Sequence, residues 1–207
     1  MTTRVIRVDP VSPPARALDD AVAVLRADGL VAFPTETFYG LGAAALRAAA
    51  VRRVLEVKGR PDGKPLLVLV DSIAMTERLA LTIPPRARAL MARHWPGALT
   101  LVLRARPEVP AEITAGTGTI GVRLSAHPVA RALVTALGAP ITAPSANPAD
   151  HPPPTTAAGV VTYFADTLPL VLDGGATPGG APSTVLDVTV EPPRVIRAGA
   201  VDVSLVD

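Results

Sequence analysis

The 207-residue chain has no cysteine, and aromatic residues make up only 3% of it. Without thiols it can form neither disulfides nor thiolate metal centres, and nothing argues for an oxidising compartment. With so few rings, the 49% of hydrophobic residues must build a core from Val, Leu, Ile and Ala, and platforms for stacking nucleic-acid bases are scarce. Long apolar runs are missing as well. No segment approaches the ~20 apolar residues of a membrane-spanning helix, and none follows the basic residues of Met1 to Pro10, which predicts a soluble, cytoplasmic protein with no membrane contact. A formal net charge of +2 leaves any nucleic-acid contact to a local basic surface.

The scarcest charged residue is lysine. Lys58 and Lys64 are the two lysines of the chain, against eighteen arginines. A composition that uses Arg for ordinary surface charge and keeps two compact ammonium groups six residues apart singles out their segment, Lys58-Gly59-Arg60-Pro61-Asp62-Gly63-Lys64-Pro65. Three cations around a sharp turn suit a phosphate-bearing ligand. The plainer reading is a solvated basic loop, or cations favoured by a helix C-terminus. Position argues against it: Arg47 to Val57 carries Val51, Val54 and Leu55 at helical spacing, and Lys58 continues that face, so its ammonium points toward the body of the protein. Gly59 then fits the residue after the helix, and Pro61 forbids continuation.

The remaining pattern reads as one α/β domain over residues 1–207, long enough to bury a sizeable core. Residues 4–8 read as an edge strand and Ala15 to Ala27 as a helix. Strands follow at 30–33, 66–70, 98–103, 120–124, 139–143, 185–188 and 194–197, with helices at 72–81, 84–94 and 127–137. The 23 prolines and 16 glycines punctuate these short elements, and their alternation predicts a layered sheet with helices packed on it.

Polar groups gather where these strands end, the usual ligand position in open α/β sheets. Phe33-Pro34-Thr35-Glu36-Thr37-Phe38-Tyr39-Gly40-Leu41-Gly42 follows a buried strand. Its glycines are explained by positive φ in a loop, but its polar residues are not. In Ile120-Gly121-Val122-Arg123-Leu124 the period of two puts Arg123 opposite the apolar face, either as a solvated outward residue or as a ligand for a carboxylate or phosphate. Thr142-Ala143-Pro144-Ser145-Ala146-Asn147-Pro148 again places polar residues at the end of a strand, as caps or as a site. Spacings rule out a Walker A loop and a GxGxxG fingerprint. His94, His127 and His151 lie far apart in sequence and read as surface or capping residues, so no protein metal site is indicated.

Together with Lys58-Gly59-Arg60-Pro61, Trp95-Pro96-Gly97, Val122-Arg123-Leu124 before His127-Pro128, Ser183-Thr184-Val185 and Ile196-Arg197-Ala198-Gly199, these stretches resemble the YrdC/Sua5 threonylcarbamoyl-AMP synthases over nearly the whole chain. The Lys-x-Arg and Ser-x-Asn pair is the hallmark. The resemblance implies a twisted mixed β-sheet with packed helices and a positively charged concave cavity, in the single-domain form. It implies a nucleotidyltransferase that makes threonylcarbamoyl-AMP and pyrophosphate from L-threonine, bicarbonate and ATP with Mg²⁺, feeding a downstream transferase system that modifies adenosine 37 of tRNA. On this resemblance Lys58 and Arg60 are catalytic, and Lys58, Arg60, Lys64, Ser145, Asn147 and Arg197 bind ATP. Thr35, Arg123, Thr142, Ser183 and Thr184 bind substrate, Arg123 holding the threonine carboxylate and Thr35 contacting the amino acid. Two departures stand out: Pro148-Ala149-Asp150 replaces a Ser-Gly step common in relatives, and Leu69 stands where two-domain relatives can carry a polar group. The alternatives are a paralogue acting on another carbamoyl or acyl adenylate, and an RNA-binding module in which Lys58, Arg60, Lys64, Arg52 and Arg53 contact tRNA or double-stranded RNA.

Overall fold

The structure, a computed structural model, describes residues 2–59 and 64–203. Arg60 and its neighbours through Gly63 therefore lie outside the described residues. In chain order the elements are β1 (Arg4–Arg7), α1 (Ala15–Arg26), β2 (Val31–Pro34), β3 (Tyr39–Gly42), α2 (Ala48–Val57), β4 (Leu67–Leu69), α3 (Ile73–Glu77), α4 (Pro85–His94), β5 (Leu99–Arg104), α5 (Ala111–Thr114), β6 (Thr119–Arg123), α6 (Pro128–Leu137), β7 (Ile141–Thr142), α7 (Ala157–Phe164), β8 (Leu170–Asp173), β9 (Thr184–Asp187) and β10 (Arg194–Arg197).

The strands form two mixed sheets, ordered β1-β8-β2-β3 and β10-β9-β5-β6-β4-β7. In the smaller sheet β8 is parallel to both β1 and β2, while β2 and β3 form an antiparallel hairpin. In the larger, β4 runs parallel to β6 and β5 parallel to β9. Helices α1, α6 and α7 pack on β2 and β8, and one apolar cluster, from Val8 to Val188, runs through both sheets. All four residues of β2 are buried, as a continuous apolar run in an interior strand requires. Helix α1 buries Ala17, Ala21, Val22 and Leu25, one stripe at helical spacing.

The sheets meet edge to edge at β3 and β7. Gly40 bridges Ser145 and Ala44 bridges Ile141. The Thr142 hydroxyl completes the seam, donating to Leu41 O at 2.9 Å and accepting from Ala43 N at 2.9 Å. Each sheet thereby satisfies backbone groups that its partner's edge would otherwise leave open.

The structure adds elements that sequence pattern does not separate from loops: β3, α5, α7 and β8. The glycines before residue 43 also have another cause than positive φ. Gly40 and Gly42 lie in the extended strand β3, and a Cβ at Gly42 would stand 2.8 Å from the Phe33 ring. The Phe33 ring lies across the glycines, so close approach rather than turn conformation selects them. The helix expected over 72–81 is shorter, Ile73–Glu77, because the following residues leave it to pair Leu81 N with Arg104 O at 2.9 Å.

Candidate functional site

Register places one group of polar residues at a common end of the larger sheet. Arg123 is the last residue of β6 and pairs with Leu69 at the end of β4. Strand β5 runs antiparallel to β6 and begins there, β9 begins beside β5, and β10 ends there with Arg197. Ser183, just before β9, is the hub of this end. Its Oγ lies 3.0 Å from Thr100 Oγ1, and Arg197 Nη2 donates to its O at 2.7 Å and to its Oγ at 3.0 Å. Arg197 Nε donates to the same carbonyl at 3.1 Å. A Cβ on Gly199 would overlap the Pro182 carbonyl and stand 2.6 Å from the Ser183 carbonyl carbon, so a glycine lets the segment after β10 lie flat against the start of β9.

Arg123 is not the solvated outward residue that alternation allows: only 4% of its side chain is exposed. Its Nε donates to Gly97 O at 3.2 Å, and its Nη2 lies 2.7 Å from Glu36 Oε1 as an ion pair without hydrogen-bond alignment. Such a guanidinium keeps N–H groups for a further acceptor. Glu36 projects from the β2–β3 turn and accepts hydrogen bonds from Ser125 Oγ and, at 3.1 Å, from Ala126 N. Burial pushes the Glu36 carboxyl up, but Arg123 and the Ser125 hydroxyl outweigh it and hold the group below its ordinary range. His127 caps α6 by accepting from Val129 N at 3.2 Å, and burial pushes its pKa down against the pull of Glu36. Burial, and then the nearby charge of Arg123, push the Arg197 guanidinium down.

A second group forms around Lys58. The helix α2 ends at Lys58, followed by Gly59 at φ +62°, the left-handed residue that closes many helices. As its place on the buried face predicts, Lys58 is 3% exposed. Its Nζ donates to Ser145 O and Asn147 O, both at 2.6 Å, and its own carbonyl accepts from Ala149 N at 2.9 Å. Asn147 Nδ2 donates to Pro148 O and His151 O, each at 2.8 Å, leaving Oδ1 a buried acceptor without a partner. Pro148-Ala149-Asp150 thus supplies carbonyls and an amide to this turn. Lys64 is exposed.

The β2–β3 hairpin joins the groups. On one side Glu36 holds Arg123, and on the other Tyr39 O accepts from Ala146 N at 2.8 Å, beside Lys58. Thr35 Oγ1 donates to Phe38 O at 2.7 Å and accepts from Thr37 N at 3.2 Å, folding the turn on itself. Tyr39 OH donates to Gly175 O at 2.7 Å, and burial, with Asp173 nearby, pushes its pKa up. Besides Thr35 and Ser183, two more expected ligand residues have hydroxyls engaged within the fold. Thr142 braces the sheet seam, and Thr184 Oγ1 donates to Val201 O at 2.6 Å and accepts from Val201 N at 3.0 Å.

Sequence pattern does not assign Glu36, Ser125 or Thr100 a place in this arrangement. For Glu36 one signal was available, an acid among residues otherwise suited to anions. No group of three or more His, Asp or Glu able to hold a metal occurs among the described residues. An open groove of about 490 Å³ lined by residues including Leu18, Asp71 and Arg131 contains none of these side chains. No helix among the described residues is long and apolar enough to cross a membrane.

Two mixed sheets joined at a seam, with Arg123 and Arg197 at strand ends and Lys58 at the end of α2, define a mixed α/β protein. The family model of Sua5, YciO and YrdC, described as "Telomere recombination", matches residues 23–199, and the chain belongs to this family. It is 46% identical over 179 residues to the threonylcarbamoyl-AMP synthase of Pyrococcus abyssi (strain GE5 / Orsay), covering 86% of this chain and 53% of that protein. The structure of P. abyssi Sua5 complexed with L-threonine superposes with a TM-score of 0.92 at 44% identity, over 95% of this chain and 58% of the other. E. coli YciO matches over 98% of both chains, with a TM-score of 0.89 and 27% identity. The chain thus spans about half the length of the P. abyssi protein.

Proposed function

We propose that this YrdC-like domain is an L-threonylcarbamoyladenylate synthase, joining L-threonine, bicarbonate and ATP into threonylcarbamoyl-AMP and pyrophosphate for use by a tRNA-modifying transferase system. The observation that carries the reading is the gathering of two guanidiniums, Arg123 and Arg197, at one end of the larger sheet, where Arg123 ends β6 and Arg197 ends β10. Among the described residues Arg197 is held by Ser183 and no acid, and so remains a cation for an added anion, while Arg123 keeps N–H donors for a carboxylate beside Glu36. A synthase that assembles one carboxylate, one bicarbonate and a triphosphate needs this arrangement.

The chemistry asks little of the protein beyond placement. The amine nitrogen of threonine bonds to the carbon of bicarbonate with loss of water, giving a carbamate. A carbamate oxygen then bonds to the α-phosphorus of ATP as the bond to pyrophosphate breaks. Negative charges converge at each step, so fixed cations lower the barrier. In this reading Arg123 binds the threonine carboxylate, and Lys58, Arg60, Lys64 and Arg197 serve the phosphates of the nucleotide. Thr35 and Ser183 contact the amino acid, and Ser145 and Asn147 orient the nucleotide, the unpartnered Asn147 Oδ1 accepting from it. Thr142 and Thr184 act through the positions of their neighbours. Mg²⁺ arrives with the phosphates, which carry the ion themselves.

The test is pyrophosphate release from ATP with threonine and bicarbonate omitted in turn and a Lys58→Ala variant alongside. Release requiring both substrates, and reduced at least a hundredfold in the variant, is expected. Release indifferent to threonine would overturn the reading in favour of another amine, and binding of RNA with no release would overturn it in favour of an RNA-binding module.

A further inference from the structure

A site for anions has little use for an acid, yet Glu36 stands beside Arg123. It is held by three contacts: the Arg123 guanidinium, the Ser125 hydroxyl and the Ala126 amide. With 20% of its side-chain surface exposed, it remains reachable from solvent. Glu36 makes Arg123 a poor site for any ligand that is only an anion, because the carboxylate cancels the charge that would attract it. One of the three substrates of the proposed reaction carries a positive group, the ammonium of the amino acid.

We propose that Glu36 is a specificity-determining residue that, paired with Arg123, makes this subsite selective for a zwitterionic α-amino acid over simple carboxylates. The inference rests on the reading of Arg123 as the amino-acid carboxylate ligand. The pair is net neutral, with a cation to meet the carboxylate and an anion to meet the ammonium. A zwitterion matches both poles, whereas a carboxylate lacking the amine meets a guanidinium already neutralised and an acid that repels it. The other charged and titratable groups at this end sharpen the contrast. Arg197 is bound to Ser183 rather than to an acid, and His127 has its protonation suppressed by burial. Selectivity against bare anions matters where bicarbonate and phosphates are present together, since either could otherwise occupy Arg123.

The test is calorimetric titration with L-threonine and with 3-hydroxybutyrate, the same skeleton without its amine, so the readout does not depend on turnover. Wild-type protein is expected to bind threonine at least tenfold more tightly than 3-hydroxybutyrate. In Glu36→Gln the ratio of the two dissociation constants should fall at least tenfold, and in Glu36→Asp, which keeps the charge, it should stay near the wild-type value. If Glu36 only orients Arg123, Glu36→Gln would weaken both ligands alike and leave the ratio unchanged, which overturns the proposal. Wild-type protein that binds both ligands equally also overturns it, and does so even if the variant fails to fold. Wild-type protein that binds neither would instead overturn the assignment of Arg123 to the amino acid, and this inference with it.

Discussion

Arg123 and Arg197 stand at the same end of one sheet, and the chain holds them in opposite ways. Arg123 ends the interior strand β6, is almost wholly buried, and faces an acid. Arg197 ends the outer strand β10, whose residues are all exposed, and among the described residues its hydrogen bonds go to Ser183 alone. The contrast teaches that strand position and counter-charge together decide what a cation can bind. In the proposed reading, an interior arginine with a carboxylate beside it receives a small zwitterion. In the same reading, an outer arginine held by a carbonyl and a hydroxyl, with no acid among its described hydrogen-bond partners, is left for a polyanion, on a strand anchored from one side.

The comparison breaks most visibly at Arg123. Replacing it with alanine removes the proposed carboxylate ligand and strands Glu36, and truncating one partner of such a pair costs about 2–5 kcal/mol. Arg123→Ala is therefore expected to weaken threonine binding on the order of a hundredfold and to lower the melting temperature, as titration and thermal unfolding would show. Arg197→Ala should weaken ATP about tenfold, roughly 1.4 kcal/mol, with threonine affinity and melting temperature nearly unchanged. Equal losses of both ligands in both variants would erase the distinction.

Smaller effects sharpen it. Thr184→Val removes two hydrogen bonds to Val201 that clasp the segment after β10, and should destabilise the protein by about 1–2 kcal/mol in denaturant titration. Threonine affinity should stay near wild type if the hydroxyl acts as a clasp, and fall sharply if it touches the substrate. The smallest effect is one of pH. The folded Glu36 carboxyl lies below its ordinary value of 4.5, so its ionised form stabilises the fold above that value, and the contribution disappears as pH falls through the folded value. Stability measured by denaturant should thus decline less steeply below pH 4.5 in Glu36→Gln than in the wild type.

Much of this was legible in the sequence where one rule acted alone. The helical period that placed Lys58 on the buried face of α2 needed only Val51, Val54 and Leu55, and Gly59 and Pro61 marked the helix end. The period of two placed Arg123 opposite Val122, but not its burial, because alternation cannot tell a solvated face from one covered by a hairpin arriving from residue 36. Strand β3 was hidden because two of its four residues are glycine, selected by the Phe33 ring of the strand beside it. Strand β8 is four residues long and is fixed by pairing with β1, more than 160 residues earlier, a contact no local pattern encodes. The hydroxyls of Thr142 and Thr184 stood in motifs that suggested ligands, and their nearest backbone partners are visible only in three dimensions.

The seam between β3 and β7 also bears on how the molecule behaves in a crowded solution. By closing two sheet edges against each other it leaves β1 and β10 as the outermost strands, and both have the sequence Arg-Val-Ile-Arg. A second molecule adding to either edge would bring arginine against arginine in antiparallel alignment, a repulsion that discourages strand-to-strand polymerisation. The same four residues stand at both margins, with Arg4 paired to Asp20 and Arg194 to Asp187, so both edges carry charge against strand addition.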